Sequence, residues 1–234
     1  MPPPHLCRRA PLAGLALVLA ACRTAPGPLV PVAAAPVTEA QVTAWVRPTV
    51  PEEARLLRFK WLFRDDNSSA GGRGSARIAP PDSLRFDVSG PFGSNASAAA
   101  VVGDSALWVE PEDAIEKLVP SYPLMWALLG VARLPDADAE LRGSDDGRRT
   151  AWEYAHGEDT IAYARTSGTP GRLFAEVRHA GKVVGRVETM LGADGRLQSS
   201  RLTVPSAPAR LDLTFLSADR PDSFAREIWL PRGR

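Results

Sequence analysis

A succession of short apolar runs, separated by Gly, Pro, Asp and Asn, restricts this chain more than any other feature. Leu56–Arg64 comes first, then Ser75–Ala79, Ser83–Val88, Ala96–Val102 and Ala106–Val109. After an interruption the rhythm resumes with Thr150–Ala155, Thr160–Arg165, Leu173–His179, Val183–Leu191, Leu197–Val204 and Arg210–Leu216. Runs of this length bounded by turn residues read as strands. The turns Ala180-Gly181-Lys182 and Ala193-Asp194-Gly195-Arg196 suit hairpins. Strands that follow one another without intervening helices favour an antiparallel meander, sheet or barrel over βα units.

The interruption is helical. Pro111–Val119 has an acidic first turn and places Ala114, Ile115, Leu118 and Val119 on one face. Ser121–Gly130 is apolar nearly all round, with Ser121 as its cap, Pro123 in its first turn and Gly130 to end it. A helix without a polar face must be buried or must cover something apolar. The expected fold is therefore α+β, a curled antiparallel sheet whose concave face is covered by short helices.

The first residues follow the layout of an export signal. Arg8 and Arg9 precede an apolar run from Ala10 to Ala21. That run is shorter than the roughly 20 residues needed to span a bilayer, and it fits a secretory core of about 7–15 residues. It ends in Leu19-Ala20-Ala21-Cys22, which resembles the bacterial lipobox. The resemblance implies a signal peptide over residues 1–21 and a diacylglycerol on the sulfur of Cys22, with the new amino group acylated as well. Residues 22–48 are rich in Pro and Ala and read as a tether. The part from Thr38 to Val46 reads as a first helix, with Thr38 as N-cap and Glu39 in its first turn. Residues 49–234 then form one domain. Of the two cysteines, Cys7 lies in the leader and Cys22 under lipid, so the mature chain is expected to hold neither a free thiol nor a disulfide.

The charges, 28 basic against 27 acidic, give no electrostatic case for nucleic acid. Catalytic constellations are equally thin. His5 goes with the leader, and His156 and His179 sit at strand ends without the spacing of a metal site. No GxSxG elbow, phosphate loop or SxxK pattern is present. Asp65-Asp66-Asn67, Asp136-Ala137-Asp138 and Ser144-Asp145-Asp146-Gly147 read as turns rather than calcium ligands. No enzyme activity, metal or cofactor is expected. Trp61 and Trp152 fall within strands and Trp126 within the apolar helix. They suit a packed core and the wall of a greasy cavity equally well.

Gly90-Pro91-Phe92-Gly93 resembles the GPLG turn of the LolB family, outer-membrane receptors that take lipoproteins from the periplasmic carrier LolA. Tyr122-Pro123-Leu124, Trp126 to Gly130 and Leu134-Pro135-Asp136 resemble that family's central block. The order of lipobox, helix, strands, two short helices and more strands is also similar. The resemblance spans roughly Leu56 to Trp229, while Asp65–Asp87 and the ending Phe224–Pro231 depart from the family pattern. It implies an unclosed antiparallel barrel, a half-barrel whose concave face binds acyl chains beneath a helical lid. By alternation the groove residues would be Phe59, Trp61, Phe86, Leu124, Trp126, Leu128 and Trp152. Phe92 matches the family's projecting leucine, which delivers cargo to the membrane. The implied partners are a membrane, lipoprotein or lipid cargo and a periplasmic carrier, with the chain itself a monomer. Arg23, where Asp would signal inner-membrane retention, points to the outer membrane of a diderm cell. A lipid-anchored interaction module with the same fold is the competing expectation.

Overall fold

The computed structural model describes residues 27–31, 33–94, 96–111 and 118–231, with the backbone but not the side chain of Phe92. The lipobox with Cys22, and most of the helix expected over Pro111–Val119, lie outside the described residues. Thirteen strands make one antiparallel sheet. They are β1 (Ala35–Pro36), β2 (Arg55–Arg64), β3 (Ser69–Ala79), β4 (Ser83–Ser89), β5 (Ser97–Val102), β6 (Ser105–Glu110) and β7 (Glu140–Asp145). After them come β8 (Arg149–His156), β9 (Asp159–Thr166), β10 (Gly171–His179), β11 (Lys182–Leu191), β12 (Leu197–Val204) and β13 (Ala209–Asp219). Among the described residues two α-helices accompany them, α1 (Glu39–Val46) and α2 (Tyr122–Leu128). The strand order is β1-β7-β8-β9-β10-β11-β12-β13-β2-β3-β4-β5-β6, and the end strands β1 and β6 do not meet. The sheet is a curled, unclosed half-barrel, as expected.

Strand register separates an inner from an outer face. On the inner face Phe59 sits opposite Phe215 and stacks on Phe86 at 5.3 Å between ring centroids. At the other flank Trp152 pairs with Tyr163 and stacks on it at 5.5 Å. Between these aromatic flanks several inward positions of β10–β12 are small, namely Ala175, Gly185, Thr189 and Ser200, set among Leu173, Val187 and Leu202. Helix α2 packs into that shallow strip. A β-carbon on Gly185 would lie 2.6 Å from Leu124 Cδ1, so a side chain there would require the tip of Leu124 to move.

Pro123 presets the first turn of α2, and Gly130, at φ +78°, ends it by turning the chain where other residues are strained. Ser121 occupies the cap position in extended backbone but makes no side-chain capping bond, contrary to expectation. Its carbonyl accepts from Met125 N instead. Residues Pro123 to Leu128 are all buried, so the absence of a polar face is matched by burial on every side.

The outer face is covered near both ends of the chain. Val30 and Ala34 lie on a floor of Ala151, Ala162 and Ala164, with Leu29 and Phe174 beside them. Arg149 and Arg142 donate to the carbonyls of Leu29 (2.7 Å) and Ala34 (2.9 Å). The segment read as a tether is thus part of the domain from Leu29 onward. Helix α1 follows, with Thr38 and Gln41 forming a reciprocal capping box and Val42 and Val46 entering the main core. At the other end a single 3-10 turn, Arg226–Trp229, lies over β4–β6. Arg85 donates to the carbonyls of Ile228 and Leu230, and Trp108 Nε1 to that of Trp229 at 2.7 Å. Beneath it Arg85 pairs with Asp87 at 2.9 Å, both nearly buried, and Arg77 reaches the same carboxylate at 2.8 Å.

Beyond shifts at strand ends, the sheet departs from the sequence reading at β3, β7 and β1. β3 begins at Ser69, inside the glycine-rich stretch taken for a turn, because Gly74 gives the Phe59 ring a bare surface to lie on. β7 covers charged Glu140–Asp145, and Trp45 of α1 packs on its Gly143. β1 is held to β7 through Ala35 and Pro36, too short a pairing to announce itself by alternation.

Candidate functional site

The seven residues expected to line a groove all converge. Phe59, Trp61, Phe86, Leu124, Trp126, Leu128 and Trp152 belong to one apolar cluster, and none is more than 8% exposed. The concavity of the half-barrel is therefore occupied by α2, whose side chains complete a dry interior. Burying one large apolar side chain of this kind stabilises by about 1.5–3 kcal/mol.

Polar contacts fix the helix at one end. Thr189 Oγ1 donates to the carbonyl of Ala127 at 2.7 Å and Ser200 Oγ to that of Leu128 at 2.6 Å, and the two hydroxyls are 2.9 Å apart. These satisfy carbonyls that a helix C-terminus leaves without intrahelical partners. Trp126 Nε1 donates to Gly103 O at 2.8 Å, and the Arg133 guanidinium lies 5.0 Å over the Trp126 ring. Beyond the helix, Tyr154 donates to Arg133 O at 3.1 Å, and Tyr163 accepts from Arg133 N at 3.2 Å. Burial pushes both phenols up, Tyr163 to about 12, so both stay protonated. Arg133 also reaches Asp104 at 3.1 Å, whose carboxyl is nonetheless raised because burial outweighs the cation.

The sequence reading missed these anchors. Their trace is present in the sequence, since Thr189 and Ser200 are hydroxyls at inward strand positions where apolar residues are the rule. In the same interior, Trp152 Nε1 is buried with no hydrogen-bond partner, an unusual state for an indole nitrogen.

One end of the half-barrel opens into a cavity of about 620 Å³. Leu57, Leu129, Leu173, Leu191 and Leu197 line its depth, while Arg55, Arg196 and Arg220 stand around it. At the opposite end a second cavity of about 480 Å³ lies among Tyr154, Ile161, Val177 and the turn residues His156, Asp159 and His179. His156 and His179 are exposed. The hydrogen bond that His179 Nδ1 makes to the Asp159 carboxylate raises the His179 pKa. Among the described residues no group of His, Cys, Asp and Glu is arranged to hold a metal ion. No described helix is long and apolar enough to cross a membrane. Phe92 falls in the 3-10 turn Pro91–Gly93, between β4 and β5.

No protein-family model matches this chain, and no curated protein sequence matches it. Solved structures do. A putative outer membrane lipoprotein-sorting protein domain from Vibrio parahaemolyticus superposes with a TM-score of 0.55 at 8% identity, over 81% of this chain and 94% of that one. The chain shares the fold of that domain. A LolA superfamily protein from Nitrosomonas europaea matches with a TM-score of 0.39 at 8% identity, over 83% of this chain and 98% of that one. At 8% identity only the fold is shared with the Vibrio domain, and the site must be argued from this chain's own residues.

Proposed function

We propose that this chain is an envelope lipoprotein, anchored through acyl groups on Cys22, that takes the acyl chains of lipoproteins or lipids into the concavity beneath α2. The observation that carries this reading is the concave face itself: one continuous apolar lining closed by a helix that is apolar on every side. Such a helix fits a lid whose place a lipid chain can take, since each methylene buried stabilises by about 0.8 kcal/mol. The unpartnered Trp152 indole and the anchoring of α2 by a few hydroxyls at one end suit the same exchange. Phe92 sits in a turn held by Pro91 and two glycines, and in this reading its ring meets the bilayer or the cargo during transfer, with the outer membrane as the destination and a periplasmic carrier as the donor.

A second reading has its own support. The seven lining residues are packed as tightly as any core, which suits an anchored platform for protein partners that never opens. One experiment separates the two. The full chain is purified in mild detergent, its bound lipid is read by native mass spectrometry, and transfer of a fluorescent acyl lipid to vesicles is timed for wild type, Phe92→Glu and Phe92→Leu. Bound lipid, transfer lost in Phe92→Glu at unchanged melting temperature, and transfer kept in Phe92→Leu support the carrier. An empty chain that transfers nothing leaves the platform.

A further inference from the structure

The cavity of about 620 Å³ at the mouth of the half-barrel has a charge arrangement that the acyl groove does not call for. Its lining carries three arginines, Arg55, Arg196 and Arg220, against two carboxylates, Asp194 and Asp219. Both carboxylates are engaged. Asp194 pairs with Arg196 at 3.5 Å, and Asp219 pairs with Arg58 on the neighbouring strand β2. Arg220 is matched, at 4.0 Å, by Glu53. Arg55 is left over. It begins β2 with its side chain on the inner face, two residues before the fully buried Leu57. Among the described residues its guanidinium makes no hydrogen bond and no ion pair.

That state is costly for a guanidinium. Burial and the nearby charge of Arg220 both disfavour the cation at Arg55, and Glu53 offsets them least. A half-buried cation without a partner, at the entrance to a pocket of leucines, is complementary to one ligand class. We infer that the mouth cavity takes the anionic headgroup of an acyl amphiphile, a carboxylate or a phosphate monoester, with Arg55 as its counter-ion. The leucines Leu57, Leu129 and Leu173 surround the first methylenes of the tail. Leu129 and Gly130 directly follow α2, so a tail entering here passes the end of the helix held by Thr189 and Ser200. The inference rests on the acyl-binding reading for the tail and adds the headgroup and the entrance.

The test uses the full chain in nonionic detergent, titrated with palmitate, 1-palmitoyl lysophosphatidate and 1-palmitoylglycerol, with occupancy read by native mass spectrometry. The three probes share one tail and differ in head. The expected result is that an anionic probe binds about tenfold tighter than the neutral one, the worth of a charge-assisted hydrogen bond. Whichever of palmitate and lysophosphatidate is preferred identifies the headgroup. Arg55→Gln should erase the preference while leaving 1-palmitoylglycerol unchanged, and Arg55→Lys should keep most of it. If Arg55→Gln melts early, Arg220→Gln serves in its place, with the preference reduced two- to threefold. Equal binding of all three probes, or a preference indifferent to both variants, overturns the headgroup site and leaves the acyl groove standing. No binding of any probe overturns both.

Discussion

The two faces of the sheet are covered by different means. Inside, α2 is an apolar plug, held by interlocking side chains and by hydroxyls that meet its last carbonyls. Outside, the segments near each end of the chain lie flat on strands made low by alanine, Ala151, Ala162 and Ala164 at one flank and Ala98 and Ala100 at the other, and arginines hold their carbonyls. The inner cover is specified by shape and the outer covers by hydrogen bonds. A plug held by apolar contact can be replaced by another apolar body, whereas a strap held by guanidinium–carbonyl bonds has no such substitute. In the proposed function the interior is therefore the part that exchanges.

The largest effect should come from the plug. Trp126→Ala removes a buried indole, its bond to Gly103 O and the ring beneath Arg133, and should cost about 3–5 kcal/mol in urea unfolding. A loss below about 1 kcal/mol would show that α2 contributes little to the folded state and would break the contrast. Next comes the strap near the C-terminus. Arg85→Ala removes the donor to Ile228 and Leu230 and a cation from Asp87, with an expected cost of about 2–3 kcal/mol. Limited proteolysis should then cut within 224–231 while the rest stays intact, and an unchanged cleavage pattern would mean that Arg85 does not hold the strap. The smallest effect belongs to the strap near the N-terminus. Ala164→Leu overfills the floor beneath Val30 and Ala34 and should cost about 1–2 kcal/mol. Amide exchange should quicken at Ala34 and Ala35 but not in α2. Equal quickening in both would show that the two faces are coupled rather than independent.

Alternation and turn chemistry made most of the sheet legible, because strands such as Leu197–Val204 bury every second residue against one core. They failed where side chains from elsewhere dictate the strand. Gly71, Gly72 and Gly74 look like a loop until Phe59 is seen resting on β3, and Gly143 marks a strand only because Trp45 packs there. The Pro/Ala stretch before Thr38 resembles a tether in composition, yet small residues are also what a flat strap requires. The apolar lining could be named from sequence, since large aromatics at inward positions have few other places to go. Arg55, Thr189 and Ser200 could not, because their meaning lies in what faces them across the sheet.

The unequal ends of the sheet have a consequence for self-association. At one edge, β1 offers two residues, one of them Pro36 with no amide hydrogen to donate, and the chain then turns into α1. At the other, nothing among the described residues pairs with the far side of β6, and its Leu107 is exposed. A fibril grows by adding strands at two ends, and here one is capped. Whatever joins at β6 through another copy of itself must do so about a two-fold axis, which closes on a pair and cannot propagate.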